Sequence, residues 1–178
     1  MLSARGPEAR EANAARAERT GPGARREAAE ARPARMVQVG AKEVTAREAT
    51  AECTVHMTPE ACAALVQGTP KGDPLEAAKV AGLLAAKRTP DLLPFCHPVA
   101  ITGATVVLEP DPERGTVRVE ATVTANDRTG VEMEALTAAA VAALSVYDAA
   151  KAYDRSAEVQ GLRLLRKAGG KSGEYRRA

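Results

Sequence analysis

Three short runs in this chain carry side chains that could bind an anion or move a proton. Lys71 stands in Thr69-Pro70-Lys71-Gly72-Asp73, a turn between two helical patterns. It lies just ahead of a helix N-terminus, where free backbone N–H groups favour an anion and a lysine adds a mobile charge. A solvated loop lysine would look the same. Asp148 and Lys151 lie three residues apart near the end of a long helical pattern. Such a pair is either a surface ion pair or a proton-transfer pair in which each group tunes the other's pKa. Phe95-Cys96-His97 sits among Pro90, Pro94 and Pro98. The prolines impose a fixed path, and a histidine held there could bind a heterocycle or shuttle a proton near neutral pH. Adjacent Cys and His ligate one metal ion poorly, and His56 is the one other histidine, so no metal site is expected. Gly170-Lys171-Ser172 has the last three residues of a phosphate-binding loop. That reading fails, because Leu165 stands where the first glycine belongs and too few residues follow to form the helix.

The elements that must position these groups follow from pattern. Residues 50–57 alternate, with Ala51, Cys53, Val55 and Met57 on one face of a strand. Thr58-Pro59-Glu60 starts a short helix ending near Gly68, and Asp73-Pro74-Leu75-Glu76 starts a second running to about Lys87. Strands are expected over residues 99–109 and 116–125, joined by a turn closing on Gly115, with Val117, Val119, Ala121 and Val123 facing inward. A long helix follows over residues 131–154, then a strand over 159–165 and a glycine-rich end. On the long helix, Met133, Leu136, Ala140, Ala143, Leu144 and Tyr147 are expected to form the buried face. Asp148 lies about 40° from Glu134 around the axis and Lys151 about 60° from Asp148, at roughly 100° per residue, so the three are expected to share one stripe. The order β-α-α-β-β-α-β predicts an α+β fold, a ferredoxin-like split β-α-β with an antiparallel sheet and an additional helix.

Composition removes several classes of function. The four aromatic residues are Phe95, Tyr147, Tyr153 and Tyr175, too few for the stacking platforms of single-strand nucleic-acid binders. The formal net charge is +2, and a duplex binder carries a stronger basic bias. The excess belongs to residues 1–35, which hold eight Arg against five Glu and almost no large apolar side chain. That segment is expected to be a disordered extension, leaving residues 36–178 as the folded domain. The uncharged apolar run over residues 135–147 is shorter than a membrane span. Three cysteines, an odd number, are expected to be reduced thiols in a cytoplasmic protein.

Taken in chain order the motifs are more specific than any one of them. Lys71-Gly72-Asp73, Ala86-Lys87-Arg88-Thr89, Leu93-Pro94-Phe95-Cys96-His97-Pro98, Thr129-Gly130-Val131-Glu132-Met133-Glu134-Ala135-Leu136-Thr137, Tyr147-Asp148 with Lys151, and Gly169-Gly170-Lys171-Ser172-Gly173 resemble the cyclic pyranopterin monophosphate synthase family of molybdenum cofactor biosynthesis. The resemblance spans roughly residues 36–175. It implies conversion of 3′,8-cyclo-7,8-dihydro-GTP to a cyclic pyranopterin monophosphate with release of pyrophosphate. It further implies Asp148, Lys151 and Lys71 as catalytic residues and Phe95, Cys96, His97, Met133 and Glu134 as substrate-binding ones. Arg47 and Lys167 match cations near the substrate. The motifs call for no particular cofactor, and a divalent cation on the triphosphate is compatible with them. The family assembles as a homohexamer, a trimer of dimers with sites at subunit interfaces, so Lys71 could serve a neighbour's site. A different class, a non-catalytic GTP-binding ferredoxin-like regulator, would use the same basic pocket but would have no need of Asp148 and Lys151.

Overall fold

A proline after a capping residue opens two of the helices, and alternation opens the sheet. The computed structural model describes residues 34–171 and 173–178; all but the last two residues of the expected extension lie outside them. Among the described residues the elements run β1 (Thr45–His56), α1 (Pro59–Gln67), α2 (Pro74–Leu92), β2 (Ile101–Asp111), β3 (Thr116–Asp127), α3 (Glu132–Ala150), β4 (Glu158–Ala168) and β5 (Tyr175–Arg176). The strands form one antiparallel sheet in the order β2-β3-β1-β4-β5. This is the expected α+β, ferredoxin-like arrangement, with a two-residue edge strand added.

Helix starts follow local chemistry. The Thr58 side chain accepts a hydrogen bond from Ala61 N, and Asp73 Oδ1 accepts from Leu75 N at 2.9 Å and Glu76 N at 3.1 Å. α2 outruns its expected end near Lys87 and continues through Pro90 to Leu92. The buried Thr89 donates its hydroxyl to Ala85 O at 3.2 Å, anchoring the turn in which proline removes a donor. The hairpin between β2 and β3 closes on Gly115 at φ 64°, and a Cβ there would collide with Met57 O. Glycine is therefore needed for both conformation and space.

The inner sheet face presents Ala49, Ala51, Cys53 and Val55 from β1 and Val117, Val119, Ala121 and Val123 from β3, all essentially buried beneath the helices. The outer face is polar. There Glu52 accepts from Arg118 Nε at 2.9 Å and from Arg163 Nη2 at 2.6 Å, tying β3 and β4 to the central strand. Arg118 also reaches Glu109 at 3.0 Å and Glu120 at 2.5 Å. Burial pushes the Glu52 carboxyl up, but the two guanidiniums outweigh it and hold it below the ordinary range.

The long helix turns a different face inward from the one expected. Its buried residues are Glu134, Ala135, Ala138, Ala139, Ala142, Ala143, Val146 and Ala150, while Leu144 is 58% and Met133 39% exposed. Small side chains win because α3 is squeezed between the sheet and α2. A Cβ on Gly82 of α2 would stand 2.9 Å from Ala138 O and 3.1 Å from Ala142 Cβ, so nothing larger fits the contact. α3 has the length and composition of a membrane-crossing helix, and its apolar character is explained by this packing against the core. Rotation of the face also carries Glu134 into the interior, away from the exposed stripe of Asp148 and Lys151.

Candidate active site

The last turn of α3 faces the loop between α1 and α2. That loop is locked by two backbone hydrogen bonds of 2.9 Å between Thr69 and Gly72. Gly72 adopts φ 110°, a conformation that strains other residues. The Thr69 hydroxyl accepts from Lys71 N at 3.3 Å, and Asp73 caps the following helix. Lys71 is thus held at a rigid corner. It shares with Asp148 of the same chain a cleft of about 310 Å³, walled also by Thr69, Ser145, Ala149 and Tyr153.

Lys151 Nζ lies 2.6 Å from Asp148 Oδ1, and both side chains are mainly exposed. The hydrogen bond from Lys151, its charge, and the charge of Lys71 hold the Asp148 carboxyl below the ordinary aspartate range. Asp148 reciprocally raises the Lys151 ammonium. At neutral pH Asp148 is therefore an anion and Lys151 a cation, each holding the other in its charged form. Sequence reasoning missed Ser145 and Tyr153 as walls of this cleft. Ser145 precedes Asp148 by three residues, and that helical spacing was the available signal.

The first turn of α3 belongs to a second region. Phe95, Cys96 and His97 meet Met133 and Glu134 around a cleft of about 360 Å³. Phe95 is 59% exposed and Glu134 is 3% exposed. Burial raises the Glu134 carboxyl; its own backbone N–H opposes that shift, and the charges of Glu132 and Asp127 add to it. Burial, with the Glu134 charge, likewise raises the Cys96 thiol, which keeps it from being a ready thiolate nucleophile. Among the described residues no group of three or more His, Cys, Asp or Glu gathers as a metal site.

Beside it opens a basic cleft of about 550 Å³, with Lys42, Arg47, Arg128 and Lys171 among its walls. Arg47 Nε donates to Asp127 O at 3.2 Å and Nη2 to Arg128 O at 3.4 Å, while the Gly169-Gly170 turn passes so close that a Cβ on Gly170 would strike the guanidinium. Arg128 Nε donates to Lys42 O at 3.0 Å. Lys167 Nζ lies 3.0 Å from Glu132 Oε1. Lys42 and Arg128 were not singled out from sequence, because a basic residue near a turn is indistinguishable from a solvated one until the walls of a cleft are known; Lys171 was visible only as part of the glycine-rich Gly169-to-Gly173 run.

One chain therefore brings Lys71, Asp148 and Lys151 together, and separately gathers Phe95, Cys96, His97, Met133, Glu134, Arg47 and Lys167. It does not bring the two groups together. Glu134 and Asp148 are fourteen residues apart on α3, about 21 Å along its axis.

The profile of the MoaC family matches residues 36–170. The chain is 54% identical over 142 residues to the cyclic pyranopterin monophosphate synthase of Roseiflexus castenholzii, covering 79% of this chain and 90% of that protein. It is 52% identical over 145 residues to the enzyme of the same name from Pelotomaculum thermopropionicum, covering 81% of this chain and 85% of that one. The protein of that name from Parvibaculum lavamentivorans is 54% identical over 144 residues, covering 80% of this chain and 90% of its own length.

Proposed function

The chain belongs to the MoaC family, and from that premise we propose that it converts 3′,8-cyclo-7,8-dihydro-GTP to cyclic pyranopterin monophosphate with release of pyrophosphate, in molybdenum cofactor biosynthesis. The observation that carries the reading is the convergence of Lys71, Asp148 and Lys151 at one cleft. Rings that open and reclose need a proton acceptor and a proton donor within reach of the same atoms. The Asp148 anion is the acceptor, Lys151 the donor, and Lys71 the second cation on the carboxylate. Phe95, Cys96, His97, Met133 and Glu134 bind the heterocyclic end of the substrate. Arg47 lines the basic cleft and Lys167 is paired with Glu132 on its wall; the positive charge there favours a triphosphate and a departing pyrophosphate.

The separation of the two groups supports sites completed by two chains, in a homohexamer built as three dimers. Val80 and Leu84 on α2 and Leu144 on α3 are each more than half exposed, an apolar face that a second copy would cover. Three free thiols support residence in the cytoplasm. A GTP-binding regulator of the same fold would leave its ligand intact and would gain nothing from the Asp148–Lys151 pair.

The test is to supply the cyclised nucleotide to the purified chain and assay for a pterin product and pyrophosphate. Binding without either product would reject the reading. Sedimentation should give a species near six chains, and a monomer at micromolar concentration would reject the shared site.

A further inference from the structure

At the N-terminal end of α3 two clefts share a wall. Thr129, Gly130 and Glu132 line both the cleft of Phe95, Cys96 and His97 and the basic cleft. Glu132 is the charged member of that wall, and it is paired with Lys167 at 3.0 Å. The two side chains are 28% and 29% exposed, so solvent screens the pair less than it screens a surface pair. The carboxylate is also confined from behind, since a Cβ on Gly130 would collide with it. The neighbouring guanidiniums are bound differently. Arg47 and Arg128 donate to backbone carbonyls, which orient a cation without cancelling its charge. Lys167 faces a carboxylate, which does both.

We propose that Glu132 is a positioning residue that holds Lys167 on the wall between the two clefts and yields it to a phosphate of the incoming substrate. The proposal rests on the reading above only in requiring that a polyphosphate enters the basic cleft. A lysine has a long flexible stem, and a partner that orders it before binding spares the entropy of ordering it afterwards. The same partner competes with the phosphate for the ammonium. Glu132 should therefore weaken polyphosphate binding while keeping Lys167 where the reaction needs it. A residue that itself contacts substrate would do the reverse, strengthening binding.

The experiment is titration of the full chain with inorganic tripolyphosphate. Glu132→Gln should bind it about three- to tenfold more tightly than the parent, the range set by a partly shielded ion pair. With the cyclised nucleotide, the same variant should show a lower kcat without a higher KM. Removing a carboxylate could strengthen anion binding through its charge alone, so the cycle is closed with Lys167→Met. In that background Glu132→Gln should change binding by less than about twofold. Weaker or unchanged binding by Glu132→Gln overturns the proposal, as does a gain that survives the loss of Lys167. Should the variant not fold, a crystal structure of the unaltered chain with tripolyphosphate decides: Lys167 Nζ on a phosphate and beyond 4 Å from Glu132 supports it, and an intact pair overturns it. Failure of turnover would count against the proposed reaction and leave the tripolyphosphate result standing.

Discussion

Each end of α3 carries a carboxyl of the proposed site, and the two ends shift it in opposite directions. At the C-terminal end Asp148 is exposed and flanked by two lysines, and its pKa is pulled down. At the N-terminal end Glu134 is buried beside other carboxylates, and its pKa is pushed up. The helix backbone is the same; the surroundings differ. A carboxylate among cations is held in its charged form, whereas burial beside other carboxylates favours the protonated form. One regular element thus holds two carboxyls shifted in opposite directions about 21 Å apart.

The strongest way to break that comparison is at Asp148. Replacing it by Asn keeps the shape and removes the titrating group, so turnover should fall by about 10²–10⁴-fold. The melting temperature should stay close to that of the parent. Near-normal turnover would reduce the pair to a solvated helix face.

Next comes a mixing experiment. Asp148→Asn and His97→Ala damage opposite ends, and each alone should be inactive or nearly so. If one site takes its two ends from two chains, co-expression in equal amounts should restore about a quarter of the parent activity, because random pairing leaves that fraction of sites undamaged. No recovery in assembled mixed oligomers would place both ends in a single chain's site.

A smaller effect is expected midway between the ends. Gly82→Val would push against Ala138 and Ala142 at the centre of α3, and overpacking of this kind costs about 1–3 kcal/mol. Thermal unfolding should show the loss. An unchanged melting temperature would mean that α2 and α3 can separate without penalty.

The smallest effect concerns Glu134 and pH. Its folded-state pKa lies above the unfolded value, so the protonated form favours the fold. That contribution is complete below the unfolded pKa, near 4.3 in model peptides, and is lost as pH rises through the folded one. Glu134→Gln should therefore melt higher than the parent at neutral pH, with the gap closing toward pH 4. A gap independent of pH would show that burial of the charge is not what separates the two ends.

Most of the fold was legible because caps, turns and alternation are local. Thr58-Pro59, Asp73-Pro74 and the Val117-to-Val123 alternation each act within a few residues. The buried face of α3 was not legible, because choosing the largest side chains for the core presumes room for them. Here the close approach of Gly82 reserves the contact for alanine. The start of β1 at Thr45, five residues earlier than alternation suggests, comes from its pairing with Asp127 at the far end of β3. At the site, the titrating residues were recognisable from motifs, and the separation of Glu134 from Asp148 follows from counting along the helix. The carbonyl partners of Arg47 and Arg128 were not recognisable, since backbone oxygens are present everywhere and only the fold selects which one is met.

The placement of β1 at the centre of the sheet has a consequence for how the chain is made. Glu52 on β1 is tied to Arg118, 66 residues later, and to Arg163, 111 residues later. The strand that ends in the middle is therefore translated first, and both of its neighbours follow much later. At about 5–20 residues per second, Arg163 emerges roughly 5–20 s after Glu52. Until β3 has emerged, β1 waits on the ribosome with both edges unpaired, and the edge that meets β4 stays open for the rest of the interval. Nascent-chain binding by holdase chaperones should accordingly peak while β1 is exposed and end only once β4 has been released.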